Sequence, residues 1–290
     1  MEGGKIKNIV IVILVILNGF LLFLVGGRRM ETTHSHESAR SSAIQIIRSG
    51  GVQLEEEIVP EHAELPALQA VRDPEWEKNL AAAVLGADVS VEALGGEVYR
   101  CRNQNGWIQF HSTGEFMAEL ADSAFVLTGE AAQHAVTMLT GLGIESRVLA
   151  DTVVNGTGRV TLGQMVNGVP VLDCQAVVHY RDGALVSITQ GRRLPGVAQS
   201  ARYRETMSVS TALMRLYNGL KELGDVYTRM EEITPAYTMN MEISGTARLD
   251  PVWYVKTDTG AYQMDLCTGQ VGRLGAAAVT AQEQSAPIED

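Results

Sequence analysis

Only three cysteines, Cys101, Cys174 and Cys267, occur in 290 residues, and no two of them form a Cys-x-x-Cys pair. Three thiols close one disulfide at most, which excludes the cross-linked framework that staples many small secreted folds. Each lies in a segment patterned as strand, where a Cys outside a disulfide behaves as a small buried apolar residue. Positive charge is also scarce. Lys and Arg number 23 against 34 Asp and Glu, a net charge of −11. Residues 1–30 carry Lys5, Lys7, Arg28 and Arg29 against Glu2, so the remainder of the chain stands at about −14. Binding a polyanion requires clustered cations that displace counterions, and this distribution argues against a nucleic-acid partner.

The common catalytic signatures are missing as well. The chain contains no Gly-x-Ser-x-Gly, no His-Glu-x-x-His and no Gly-x-x-x-x-Gly-Lys-[Ser/Thr]. Gly156, Gly158 and Gly163 superficially resemble a phosphate loop, but no Lys follows them and their surroundings alternate like strands, so they read as turn glycines. His111, His134 and His179 fall in separate segments, with nothing in the spacing that joins a nucleophile, a base and an orienting acid. His134 reads as a helix-surface residue and His179 as a strand-surface one. His34, His36 and Glu37 have ligand chemistry, yet they sit in a polar stretch that reads as a stalk. Asn155, Gly156 and Thr157 match a glycosylation acceptor but are first a turn signal. No catalytic residue, cofactor or metal is expected.

What the chain does have is a run of twenty residues, 8–27, without a charge, and the stretches Ile9 to Leu17 and Phe20 to Val25 within it are wholly large and apolar. A helix of about 20 residues rises roughly 30 Å, the thickness of a bilayer's hydrocarbon core. Large apolar residues near the helix centre each favour insertion by about 0.3–0.6 kcal/mol, which the single Asn18 does not offset. A cleaved secretory signal is the competing reading. Its apolar core is about 7–15 residues long and ends at a small-residue cleavage site, whereas this run is longer and stops at Gly26, Gly27, Arg28 and Arg29. An uncleaved anchor over residues 1–30 is therefore expected. Asn18, with Gly19 allowing close approach, is placed either to hydrogen-bond a second membrane helix or simply to face lipid.

Beyond the anchor, a helix is expected from about Glu37, ended by Gly50 and Gly51, and a second from Asp73 as N-cap with Pro74 at its first position and Trp76, Leu80, Ala83 and Val84 as its apolar stripe. The period then changes to two. Val98–Arg102 and Trp107–Phe110 form a hairpin signature. Helical spacing recurs at Ala132, Ala135, Val136 and Leu139, followed by strands at Ser146–Val154, Arg159–Val166, Val169–Tyr180 and Ala184–Gln190. A third round opens with Ser208 as cap and Val209, Ala212, Leu213, Leu216 and Leu220 as stripe, then strands at Tyr227–Glu231, Ala236–Ile243, Val252–Thr257 and Ala261–Leu266 and a short edge strand at Val271. One helix followed by antiparallel hairpins, three times over, predicts an α+β fold of tandem helix-plus-sheet modules rather than a parallel Rossmann arrangement. The expected divisions are 1–30 for the anchor, 31–125 for a first module, 126–275 for two more, and 276–290 for a disordered tail.

The start Lys5, Ile6, Lys7 with Leu17, Asn18, Gly19, Phe20, Leu21 and Leu22 resembles that of the YycI family of membrane-anchored regulators of two-component systems. Gln164, Asn167, Gly168, Pro170, Val171 and Asp173, then His179, Tyr180, Asp182 and Gly183, are similar to that family's central strand and hairpin. Pro251, Trp253, Val255, Gly260, Tyr262 and Gly269 resemble its closing hairpin, which looks like a PepSY-type, cystatin-like module. The resemblance implies a single-pass cell-membrane protein with its body outside the cell. It further implies that Asn18, Gly19 and Phe20 contact the membrane helices of a sensor histidine kinase, that a YycH-type protein acts alongside, and that the chain is no enzyme.

Overall fold

The computed structural model describes residues 37–86, 88–201, 205–242 and 245–275. The expected span, its contact residues Asn18, Gly19 and Phe20, and the tail 276–290 lie outside these. Among the described residues no helix is long and apolar enough to cross a membrane. The chain runs through α1 (residues 37–49), β1 (Leu68–Val71), α2 (Pro74–Leu85), β2 (Ser90–Gly95), β3 (Val98–Asn103), β4 (Gly106–Phe110), β5 (Glu115–Leu120), α3 (Ala131–Gly141) and β6 (Ser146–Asp151). It continues through β7 (Gly158–Val166), β8 (Val169–Arg181), β9 (Ala184–Arg192), β10 (Gln199–Ser200), α4 (Val209–Glu222), β11 (Met230–Met241), β12 (Thr246–Thr257), β13 (Gly260–Asp265) and β14 (Val271–Arg273). The architecture is mixed α+β and dominated by sheet.

The helices start where side chains satisfy free backbone N–H groups. Asp73 accepts from the N–H groups of Glu75 and Trp76 at the head of α2, and Ser208 accepts from Thr211 N–H at the head of α4. Three hairpins close through two-residue turns whose backbone lies in the left-handed region: Asn155 and Gly156 at φ +52° and +75°, Asn167 and Gly168 at +52° and +76°, Asp182 and Gly183 at +50° and +78°. That pair of conformations matches the strand twist and admits Asn, Asp and Gly most readily. The glycosylation-like Asn155 is thus a turn residue. Gly163 is not: it sits inside β7, where an added Cβ would meet Leu149 at 2.9 Å, so its role is close packing against β6.

Two antiparallel sheets result. One has the order β2-β3-β4-β5-β9-β8-β7-β6, and the other is built around β12, which pairs with β11 along its length. The opposite edge of β12 is shared: Thr246 to Leu249 pair with β1 and Val252 to Thr257 pair with β13. Pro251 occupies the changeover. Its carbonyl accepts from Leu266 N–H, so its ring nitrogen also points to that edge and falls between the two partners, where no strand needs an N–H. Expectation had placed the strand's start at Val252; tolerance of Pro251 at this gap lets it begin at Thr246. Likewise β11 is one strand through Pro235 rather than two, because its far edge carries a single strand bridge, Tyr237 with Val171 of β8, and no strand pairs with it at Pro235 among the described residues. That bridge joins the sheets. β1 and β5 had no counterpart in the expectation.

The cores do not follow the order of the chain. The first lies between α2, α3 and the sheet of β3–β9, with Cys101, Ile108, Phe110, Leu139, Val160, Val178 and Ile188 all nearly inaccessible. The boundary expected at residue 125 falls within it. The second gathers Ala43, Ile44 and Ile47 of α1 with Leu213, Leu216 and Leu220 of α4 and Trp253, Val255 and Met264 of the β12 sheet. The first described helix therefore packs on the last module, across about 170 residues of sequence. A third cluster, with Cys174, Tyr237, Met239 and Leu249, fills the seam between the sheets. Fully burying a Leu or Ile contributes about 1.5–3 kcal/mol, so Ile44 and Ile47 alone bind α1 firmly to this body.

Candidate functional site

Helix α2 buries a different face from the one its apolar residues suggest. Glu77, Ala81 and Leu85 are its buried residues, while Trp76 and Leu80 lean toward the turn at Gly143 after α3 and Val84 toward Gly141. The reason is a charge cluster around Glu77, which is only 1% exposed. Its Oε1 accepts from Arg193 Nη2 at 2.8 Å and its Oε2 from Arg72 Nε at 3.1 Å, and the Tyr99 hydroxyl donates to the same Oε2. Arg193, equally buried, is sandwiched between Trp76 and Phe110, its guanidinium carbon 4.9 and 5.3 Å from the ring centroids. Burial pushes the Arg193 guanidinium down from its ordinary range while Glu77 pulls it back, and burial together with the Glu77 hydrogen bond raises the Tyr99 phenol well above its usual value. Gly114 lets the backbone come close: Arg193 N–H donates to Gly114 O at 2.9 Å, and a Cβ at Gly114 would lie 2.5 Å from Arg193 O.

A second polar joint sits at the seam. Asp173 of β8 accepts from Met239 N–H of β11 at 2.9 Å and from Arg192 Nη1 of β9 at 2.7 Å, so one carboxylate ties three strands from both sheets. Its burial raises the carboxyl pKa, opposed by the Met239 N–H and Arg192. Gln164 extends the joint by accepting from Leu194 N–H at 2.8 Å. Cys174 and Cys101 are buried free thiols, and burial raises Cys101 to about 11, which keeps it protonated and inert. Cys267, expected in a strand, lies in the turn after β13.

The histidines make neutral contacts in separate places. His111 meets Gln109 at 2.9 Å. His179 meets Thr189 at 2.7 Å across two strands, but the charged group acting on it is the cation Arg159, where a general base would need an orienting carboxylate. His134 is half-buried rather than a plain surface residue: its Nδ1 lies 2.8 Å from the Tyr180 hydroxyl, which itself donates to Ala131 O at 3.2 Å. Burial lowers the pKa of both His134 and His179. Below the ordinary value of about 6.5 the unfolded chain therefore binds protons that the folded chain resists, and stability falls as pH drops from 7 toward 5.5. Urea titrations of the chain and of a His134→Gln, His179→Gln variant at pH 7 and 5.5 test this; an equal pH dependence in the two proteins would refute it. Among the described residues no group of three or more His, Cys, Asp or Glu side chains is placed to hold a metal.

Sequence patterning missed the Glu77 cluster because an acidic residue in a first helical turn reads as a dipole-favoured surface group. Arg72 and Arg193 each border a short loop and carry no spacing relative to Glu77 that a linear pattern displays.

Comparison with known proteins gives one family match. Residues 147–190, spanning β6 to β9, match the Fungalysin/Thermolysin Propeptide Motif. Among solved structures, an uncharacterized protein from Eubacterium rectale is similar at 16% identity over 72% of this chain and 86% of its own, with a TM-score of 0.44. The YpeB C-terminal domain of Bacillus megaterium is similar at 12% identity over 71% of this chain and 99% of its own, with a TM-score of 0.36. No curated protein matches. The β6–β9 region is accordingly similar to a protease-propeptide motif, within a sheet-rich α+β body.

Proposed function

We propose that the chain is a non-catalytic accessory protein, anchored in the cell membrane by residues 8–27 with its body outside the cell, that adjusts a sensor histidine kinase through packing of its membrane helix. The kinase and a cooperating YycH-type protein are the partners that the YycI resemblance implies, and Asn18, Gly19 and Phe20 are the contact residues. The observation that carries this reading is the seating of α1. Residues 28–36 are all that separate the proposed span from a helix whose Ile44 and Ile47 are 1% and 0% exposed in the same core as Trp253. A span joined so closely to a packed helix is poised to pass a tilt or rotation of the body into the membrane. A helix contact shifts a two-state partner only by its differential affinity for the two states, so the interface need not be strong.

The propeptide motif at 147–190 favours a second reading, in which the body is a binding or protease-inhibitory module and the helix only a tether. Exchanging residues 8–27 for an unrelated membrane span discriminates between them. Helix packing predicts that kinase output loses its dependence on this protein and that co-purification with the kinase in detergent fails, with Asn18→Leu weakening it in the same direction. Retained regulation by the exchanged protein would refute helix packing and leave the tether.

A further inference from the structure

We propose that the outer edge of β14 is a strand-addition site for an extended polypeptide segment of a partner, one carrying a carboxylate on one face and uncharged hydrogen-bonding side chains on the other. This rests on the described body alone and does not depend on the membrane helix. β14 pairs only with β13 among the described residues, in the register Tyr262 with Arg273, Gln263 with Gly272 and Met264 with Val271. Asp265 N–H donates to Gln270 O at 3.0 Å and Leu274 N–H to Ala261 O at 2.9 Å. Those two bonds fix the alternation: Gln270, Gly272 and Leu274 turn their backbone groups toward β13, and Val271 and Arg273 turn theirs outward. A sheet edge with outward N–H and C=O groups is a template for another strand.

Clefts flank this edge on both faces. One, of about 490 Å³, is lined by Thr238, Asn240, Gln263, Gly272, Asp173 and Asp265. The other, of about 380 Å³, lies between α4 and β14 and is lined by Arg215, Asn218, Gly219 and Glu222. Both include Gln270 and Val271, so they meet at the edge itself. Successive side chains of a strand point to opposite faces, and a strand laid beside β14 would send alternate side chains into the two clefts. A Cβ at Gly272 meets nothing within 4 Å, so the missing side chain keeps the first cleft open.

The charges select the occupant. In the first cleft the carboxylates are already engaged, Asp173 by Arg192 and Met239 N–H, and Asp265 by the N–H groups of Cys267 and Thr268 at 2.8 and 2.7 Å. Hydroxyl and carboxamide groups of Thr238 and Gln263 remain to meet a guest, which suits uncharged polar side chains. In the second cleft the exposed Arg215 lies at the β13–β14 turn, its stem beside Gly269, and Glu222 stands two helical turns away, so a carboxylate is accommodated at the Gln270 end.

The test pans a library of randomised nine-residue peptides, displayed on phage, against the full chain in detergent, then measures affinity and hydrogen exchange with the selected peptides. Expected are peptides with an acidic residue, slowed exchange at the Val271 and Arg273 amides on binding, and losses of at least tenfold in affinity in Val271→Pro, which removes an outward N–H, and in Gly272→Phe, which fills a cleft from a position where a Cβ meets nothing. Arg215→Ala should weaken binding and relax the acidic preference. The proposal is overturned if no peptide is enriched or if both edge variants bind like the parent. It is equally overturned if the two amides already exchange slowly in the free chain, because residues 276–290 then cover the edge, or if light scattering shows a dimer that Val271→Pro dissolves, because a second copy then does.

Discussion

Replacing Glu77 with Leu is expected to lower the unfolding free energy by about 3–5 kcal/mol, as breaking a buried ion pair from one side generally does. The loss comes from what is left behind. Arg193, 1% exposed, would keep its charge with no carboxylate to offset it; the Arg72 side chain, 7% exposed, would keep only the solvent-exposed Glu97 carboxylate 3.9 Å from its Nη1, and the Tyr99 hydroxyl only the Pro74 carbonyl. Arg72 has little reserve, since its Nη2 is already buried without a hydrogen-bond partner. The change Arg193→Met removes the most deeply buried cation and leaves an apolar stem between Trp76 and Phe110. Combined with Glu77→Leu it should cost less than the sum of the two single changes by more than about 1 kcal/mol. Urea unfolding of the three variants decides the matter. Single costs below about 1 kcal/mol, or simple additivity, would show that the cluster is energetically idle.

The second large effect is expected at α1. Ile47→Ala should cost about 2–5 kcal/mol, the range for truncating a buried Ile and leaving a cavity, whereas its neighbour Ile46, 50% exposed, should change stability by no more than about 0.5 kcal/mol when truncated. The contrast bears on signalling as well as on stability. If α1 were a free stalk, neither change would register, and a movement of the body would reach the membrane only through slack chain. Equal and small effects of the two substitutions would therefore remove the seated helix from the proposed function.

How much of this could be read beforehand divides along the range of the interactions. Local devices were legible: the Asp73 cap with Pro74 behind it, the Ser208 cap and the stripe from Val209 to Leu220, and the Asp-Gly turn at 182 and 183 all act through residues within a few positions of one another. Pairing across the chain was not. β1 is four residues long and β10 two; β12 supplies the ladder for β1 and β1 in turn the ladder for β10, so their own letters carry almost no period. Pro235 and Pro251 read as strand breakers, and only the knowledge of which edge is vacant reverses that reading. Glu77 shows the same limit at the cluster. Its burial depends on two cations, one five residues before it and one 116 residues after it, that meet only in the folded chain.

Because Ile44 and Ile47 find their partners in residues 209–266, the second core has no lid until nearly the whole polypeptide has been made. During synthesis the greasy side of α1 must wait, exposed, while the intervening strands assemble. Closing so long a loop is slow, and the waiting surface is prone to stick to neighbours. A nascent chain of this design has a natural call on chaperones, and truncation before residue 209 would leave the first helix without that shelter.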